Sequence, residues 1–213
     1  LEDHSGIADC LTHLADIHYR LGHHNYALRD YRQCLEIKEL QKDQNGVVAV
    51  LNAIGLIHAD LNEWETAIEC YQRVVDILTE SGDTSETAAA LSNLGCIHHL
   101  HGELELAKDY YGRALDIQDR LGDLLGASQT QSNLGLICQR EGDIDQARAY
   151  FQESLDAKDR FGDCTGAATT KMNLGLMCQL KGDLDSAQSY FEDACRTFED
   201  IGDMRGISAA QNN

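Results

Sequence analysis

The residues best suited to metal chemistry cluster in the stretch CIHHLHG at 96–102, which holds one cysteine and three histidines. Thiolates and imidazoles are the usual zinc ligands, and a structural zinc site takes four ligands. On a helix, however, Cys96 and His99 would share one face, while His98 and His101 would share another. Each face would offer only two ligands, so we expect these residues to pack in the core or to make the groove polar, and we expect no metal or other cofactor.

Paired carboxylates, the side chains needed for general acid–base catalysis, recur along the chain, as in Asp143 with Asp145 and Glu103 with Glu105. These pairs fall at predicted helix starts, where a negative charge complements the helix dipole. The sequence also contains no P-loop, no glycine-rich dinucleotide turn and no nucleophile elbow. We therefore expect that the chain is not an enzyme.

Asparagine recurs every 40 residues, at Asn93, Asn133, Asn173 and Asn213. A primary amide carries two donors and an acceptor with two lone pairs. A row of amides on one surface can therefore bond the backbone of an extended peptide without reading its side chains. The alternative is that each asparagine bonds the backbone of the neighbouring repeat and fixes how the repeats stack. We favour peptide binding.

The segments that would position these asparagines are themselves repeated, since TQSNLGLICQREGD at 130–143 is followed by TKMNLGLMCQLKGD at 170–183. A glycine, an alanine and an aromatic residue recur with the same spacing of 40 residues along most of the chain. Self-similarity with one fixed period predicts a stacked-repeat architecture. The glycines are Gly55, Gly95, Gly135 and Gly175.

Each period has the pattern of two helices. Within residues 122–161, helices are predicted over 125–140 and 144–160, and a Gly-Asp pair precedes each of them. Glycine permits the left-handed conformation that ends a helix, and aspartate caps the start of the next one. Gly135 and Ala147 would let the two helices approach closely, because a larger side chain at either position would overpack the contact.

Composition limits the class of partner and the compartment. The 213 residues carry a formal net charge of -19, with 17 basic and 36 acidic side chains. This charge disfavours a nucleic-acid partner and favours a basic one. The apolar stretch at 46–59 is too short to span a bilayer, so we expect no membrane segment. Most of the 8 cysteines fall within predicted helices, which is typical of reduced thiols in a cytoplasmic protein.

The repeat resembles a known family. Leu91-x2-Leu94-Gly95-x2-His98 and Ala107-x3-Tyr111 follow the middle of the tetratricopeptide-repeat pattern W-x2-L-G-x2-Y, then A-x3-F. Its tryptophan position holds leucine, glutamine or lysine here, and the period is longer than the usual 34 residues. This long form is similar to polarity scaffolds of the Pins/LGN class, to kinesin light chain and to the arrays attached to NLR-type sensors.

The resemblance implies an all-α fold, a right-handed superhelical solenoid of antiparallel helix pairs. It would form one domain over residues 1–213. The predicted repeats are 3–42, 43–82, 83–122, 123–162 and 163–202, with the start of a truncated sixth repeat at 203–213.

In arrays of this kind the first helix of each pair lines a concave groove, which implies a protein partner bound through a linear peptide segment. Only Arg20 and Arg140 could act there as a basic clamp for a peptide carboxylate, and Asp9, Asp16 and Asp60 oppose them, so that mode is disfavoured. The predicted groove residues are Asn93, His99, Ser132, Asn133, Leu136, Gln139, Arg140, Asn173, Leu176, Gln179 and Asn213.

The sequence therefore predicts a protein–protein interaction scaffold, whose partner segment carries basic residues. The alternative is a structural or regulatory array that acts by self-assembly or by clamping another part of a longer chain. In that case the incomplete sixth repeat would leave an uncovered apolar face through which copies associate.

Overall fold

The computed structural model describes residues 4–80, 82 and 84–211. Within these residues the chain forms eleven α-helices and no β-strand. The first five are α1 His4–Arg20, α2 His24–Leu40, α3 Gln44–Asp60, α4 Trp64–Thr79 and α5 Ser85–His101. The others are α6 Leu104–Leu121, α7 Leu124–Glu141, α8 Ile144–Phe161, α9 Cys164–Leu180, α10 Leu184–Ile201 and α11 Met204–Gln211.

The helices fall into two compact units, Leu1–Glu103 with α1 to α5 and Leu104–Asn213 with α6 to α11. Within each unit, helices that follow one another in the chain pack against one another. The short turns between them make consecutive helices antiparallel. The predicted fold class, an all-α solenoid built from antiparallel helix pairs, is confirmed. The single solenoid over residues 1–213 and its repeat boundaries stay predictions.

The Gly-Asp pairs end one helix and start the next, as the sequence predicts. Gly142 has φ +84°, a left-handed conformation that suits glycine at a helix C-cap. Asp143 then accepts a hydrogen bond from the Gln146 N–H at 3.0 Å, which satisfies one of the unpaired donors at the start of α8. Two earlier turns use Lys42 and Asn62 instead, with φ of +58° and +59°.

In the core of the second unit, small residues face aromatic rings. An ideal Cβ on Gly135 of α7 would lie 2.7 Å from Cε1 of Phe151 on α8, which is closer than carbon atoms approach. Ala147 and Phe151 are fully buried beside Leu174 and Met177 of α9. Close helix contact within a pair therefore creates the apolar surface on which the next helix packs.

The cysteines of the described helices differ in burial. All eight cysteines are free, but only Cys34, Cys138 and Cys178 are buried, whereas Cys10, Cys96 and Cys164 are exposed. None of the helices in the described part of the chain combines the length and apolarity needed to cross a bilayer. A cytoplasmic location stays a prediction.

Candidate functional site

The asparagines at the recurring position lie on first helices and face outward at least in part. Asn93 on α5 is exposed, and Asn133 on α7 and Asn173 on α9 are half-buried. None of the three side-chain amides bonds to another described residue. The alternative in which each amide bonds the backbone of a neighbouring repeat therefore finds no such bond in this part of the chain. Asn213 lies outside the described residues.

Other predicted groove residues lie beside these asparagines. On α7, Asn133, Leu136 and Arg140 are spaced by three and four residues, so they lie along one side of the helix. Leu136 and Leu176 are half-buried and rest on the apolar core of the second unit, while Arg140 is exposed. Gln139 and His99 are half-buried, and Gln179 is exposed.

In the second unit the predicted groove residues on α7 and α9 lie close to one another, because both helices pack on α8. Asn93 and His99 lie on α5, in the first unit. The structure therefore gathers one subset of the predicted residues, formed by Asn133, Leu136 and their counterparts one repeat later.

Ser132 does not belong to this surface, and its prediction as a groove residue is wrong. Its side chain is turned into the α7–α8 contact and the residue is only 7% exposed. The Ser132 hydroxyl lies 2.7 Å from the Ser154 hydroxyl and accepts a hydrogen bond from Lys158 Nζ at 2.8 Å. A serine next to an outward-facing asparagine on a helix points about 100° away from it, which here leads into the interior.

The same interior cluster contains a buried lysine that the sequence analysis did not single out. Lys158 of α8 is 4% exposed and also donates to the Thr170 hydroxyl of α9 at 3.0 Å. Burial lowers the pKa of Lys158, and the charge of Asp163 partly offsets that effect. The sequence did contain a signal for this cluster. The predicted buried faces carry one lysine together with three hydroxyl residues, which are Ser132, Ser154 and Thr170.

Buried histidines at the end of two first helices bond to acids at the start of the following helix. His58 Nδ1 lies 2.5 Å from Glu63 Oε2, and His98 Nδ1 lies 2.6 Å from Glu103 Oε2. The hydrogen bond from His98 lowers the pKa of Glu103. In the fourth repeat the equivalent position holds Cys138, and the shorter acid there caps its helix instead.

The histidine cluster is dispersed by this arrangement. His98 is buried, whereas Cys96 is exposed, and His101 Nδ1 lies 3.3 Å from Glu103 Oε1. Within the described residues no three side chains of the metal-binding types are grouped so that they could hold an ion. The cluster therefore contributes polar contacts to Glu103.

A pocket with charged residues on its rim, in the first unit, was missed by the sequence analysis. It has a volume of about 380 Å³, and Asp9, His13 and Asp16 of α1 line it together with Lys38 and Ala53. His13 and Ala53 hold the repeat position that asparagine occupies in later repeats. The Tyr31 hydroxyl donates to Asp16, and Lys38 Nζ lies 3.7 Å from Asp9 Oδ1.

This pocket differs chemically from the surface in the second unit. Two carboxylates, only partly offset by one lysine, give it an acidic rim suited to a cation. The surface in the second unit instead offers amides and leucines. The signal in the sequence was the replacement of the recurring asparagine by His13 between two aspartates.

Helix pairs joined by short turns, with side chains of alternate helices presented outward, define a helical-repeat scaffold for protein interactions. Tetratricopeptide-repeat sequence profiles match residues 46–120 and 126–200, and a second profile of that description matches residues 7–40. The chain belongs to the tetratricopeptide-repeat family. No characterised protein in a search of curated sequences matches it significantly.

Solved structures with low sequence identity share the fold. BtubC (BKLC) from P. vanneervenii has a TM-score of 0.84 at 21% identity, covering 94% of this chain and 84% of that one. A putative kinesin light chain of Podospora anserina with TPR-like repeats has a TM-score of 0.74 at 15% identity, covering 94% and 99%. The Rap conjugation gene regulator of plasmid pLS20, in complex with a Phr peptide, has a TM-score of 0.74 at 16% identity, covering 94% and 56%.

Proposed function

We propose that the chain holds an extended segment of a partner protein against its first helices, and that asparagine amides bond the backbone of that segment. The observation that carries this proposal is the state of Asn133 and Asn173. Both residues are half-buried, and neither side-chain amide bonds to another described residue. An amide that is not used by the fold can offer donors and an acceptor to a peptide backbone.

Apolar contacts would accompany the amide bonds. Leu136 and Leu176 follow the two asparagines by three residues, so each lies on the same side of its helix as the amide. Both leucines are half-buried, which leaves part of each side chain able to contact a partner. Such contacts would add affinity while the amides fix the direction and register of the bound backbone.

The pocket in the first unit indicates the chemistry of the bound segment. Asp9 and Asp16 on its rim would favour a lysine or arginine side chain, and the chain's net charge of -19 would steer such a segment toward the protein. The same charge argues against a nucleic-acid partner. The Rap regulator, whose fold is similar, binds a Phr peptide, which supports the idea that this architecture can hold one.

The test is the double variant Asn133→Ala with Asn173→Ala, measured against peptides selected from a synthetic library on the immobilised chain. We expect the dissociation constant of a selected peptide, followed by fluorescence anisotropy, to rise by about tenfold or more, because each lost hydrogen bond contributes about 0.5–1.5 kcal/mol. The melting temperature should stay near that of the parent chain, since the amides have no described partner in the fold.

Gln152→Ala is the matched control, because it removes an exposed amide from α8, a second helix. It should leave the dissociation constant unchanged. If the double variant binds as tightly as the parent, the amides do not carry recognition. If affinity and melting temperature fall together, the asparagines serve the stacking of repeats instead.

A further inference from the structure

A second pocket lies in the first unit between α2, α3 and α4, away from the asparagine positions. It has a volume of about 270 Å³. Arg32 of α2, His58 of α3 and Arg73 of α4 contribute positive or ionisable groups, and Thr66 contributes a hydroxyl. Thr66 and Arg73 are seven residues apart on α4, so they lie along the same side of that helix.

We propose that this pocket binds a phosphate monoester through Arg32, Arg73 and His58. The proposal is separate from the peptide surface, because Arg32 and Arg73 lie on second helices and the buried His58, although it lies on a first helix, is not among the residues assigned to that surface. It also assigns a binding role to the one imidazole nitrogen in the pocket that the fold leaves without a partner.

His58 lies in the wall of the pocket, and only one of its two ring nitrogens has a hydrogen-bond partner among the described residues. The residue is 4% exposed, and its Nδ1 is held by Glu63 Oε2 at 2.5 Å. Its Nε2 is buried and bonds to no described atom. A buried polar atom without a hydrogen bond costs free energy, so a ligand atom that satisfies Nε2 gains that energy on binding.

Two guanidinium groups supply the charge. Arg73 already contacts Glu39, while no ion pair joins Arg32 to another residue in the part of the chain that the structure describes. Burial raises the pKa of the neighbouring Cys70 thiol, and the positive charges of Arg32 and Arg73 both oppose that rise. Both charges therefore act at the wall of the pocket, where they are opposed by Glu69 in the lining and by Glu39 and Glu63, which contact Arg73 and His58.

These groups fit a phosphate monoester better than other anions. The guanidinium group of one arginine can donate two parallel hydrogen bonds to the oxygens of a phosphate. Because Glu63 holds the Nδ1 proton of His58, one proton is needed between Nε2 and the ligand. A phosphate monoester, with its second pKa near 6, still carries a proton that it can donate to Nε2, whereas a carboxylate is ionised at neutral pH and has no proton to donate.

The apolar part of the pocket suits the stem of such an ester. Leu35, Leu51 and Ile54 complete its lining. Forty residues on, Tyr110 occupies the position of Cys70, and Arg113, the counterpart of Arg73, lies over that ring at 5.4 Å. The small Cys70 side chain therefore leaves space where the next repeat carries a ring.

The test uses the 213-residue chain labelled with ¹⁵N-histidine, with the His58 resonances assigned by their loss in His58→Gln. Titration with phenyl phosphate should shift the His58 Nε2 signal to saturation, and phenol at the same concentrations should not. Arg32→Gln and Arg73→Gln should each raise the dissociation constant by about tenfold, as expected for bonds to a charged group. Arg113→Gln is the matched control and should leave it unchanged.

N-acetyl-phosphotyrosine amide distinguishes the source of the ester. If it binds more tightly than phenyl phosphate, the ligand is a phosphorylated side chain of a protein; if it binds more weakly, the ligand is a small ester. The proposal is overturned if phenyl phosphate gives no saturable shift, if phenol or benzoate binds as well, or if Arg113→Gln weakens binding as much as Arg32→Gln.

Discussion

Gly135 shows how a single missing side chain sets the distance between two helices. A methyl group there would lie 2.7 Å from the Phe151 ring, so Gly135→Ala requires the ring or the helix to move. We expect the free energy of unfolding to fall by about 1–3 kcal/mol, the usual cost of overpacking a core. Urea denaturation monitored by circular dichroism measures this change.

Gly112 on α6 is the matched control for that prediction. It is also a helical glycine, but a Cβ built on it meets no atom within 4 Å. Gly112→Ala should therefore stabilise the chain by up to about 1 kcal/mol through helix propensity. Equal effects of the two substitutions would show that propensity, not the contact with Phe151, explains the glycine at 135.

The residue scale also shows where sequence reasoning succeeded and where it did not. The spacing of Gly135, Ala147 and Phe151 predicted a close helix contact because repeated small and aromatic residues have few other uses. Ser132 was misplaced because its neighbours on the helix face outward. Only the position of Lys158, 26 residues away, decides that the serine points inward.

At the scale of the helices, Lys158 joins three of them through hydroxyl groups on α7 and α9. In the other repeats the same position holds an apolar residue twice, Leu78 and Phe198, and a polar residue twice, Lys38 and Gln118. We expect Lys158→Leu to change the free energy of unfolding at neutral pH by no more than about 1 kcal/mol, because replacing a buried ion by an apolar residue is often neutral or stabilising. The two hydroxyls retain partners in Ser154 and the Gly166 carbonyl.

Comparing how the free energy of unfolding depends on pH in the parent chain and in Lys158→Leu separates the effect of the charge from that of packing. Burial lowers the pKa of Lys158 in the folded chain below the usual lysine value of 10.5, so the unfolded chain binds the proton more tightly. Between the folded and unfolded pKa values the unfolded state therefore holds more protons, and the free energy of unfolding rises with pH.

Lys158→Leu should lose that rise, whereas Lys171→Leu, at a more exposed position, should keep it. Urea titrations from neutral pH upward to about pH 10 test this. Parallel pH profiles for the parent and Lys158→Leu would contradict a buried, perturbed ammonium.

The connection between paired helices is also decided at this scale. In α3 and α5 the histidine near the helix end is followed by a glutamate that reaches back to the ring, as in His58 with Glu63. In α1, His23 takes the place of the glutamate and His18 bonds to Asp30 instead. Where the first helix ends with Cys138, the acid is Asp143, which caps the next helix. Both patterns are visible in the sequence, but only the folded structure shows that the longer glutamate side chain reaches the histidine ring.

For the whole molecule, a second copy of the chain is the alternative partner. On α1, Leu14 is 41% exposed and Ile17 is 54% exposed, although their counterparts Leu174 and Met177 are buried against Phe151. In the second unit a pocket of about 340 Å³ is lined by Phe191, the counterpart of Phe151, together with Leu184 and Ala187. One copy's α1 therefore presents the residue types that the other copy's pocket would accept.

If copies associate in this way, light scattering should show a mass that grows with concentration, and Leu14→Glu with Ile17→Glu should keep the chain monomeric. The matched control Leu106→Glu, at a residue that is 48% exposed on α6, should still associate. A constant monomer mass for the parent chain would remove the self-assembly alternative and leave the peptide scaffold as the function to test.

The sequence alone determined the architecture, because a fixed repeat of small, aromatic and capping residues has one stable arrangement, paired helices that bury the same face each time. It also located the recurring asparagines. The tertiary structure decided which polar side chains the fold itself uses. Whether Ser132, His58 or Asn133 finds a partner depends on residues that are distant in the chain, and burial makes an unpaired polar atom costly enough to distinguish a structural group from one available to a ligand.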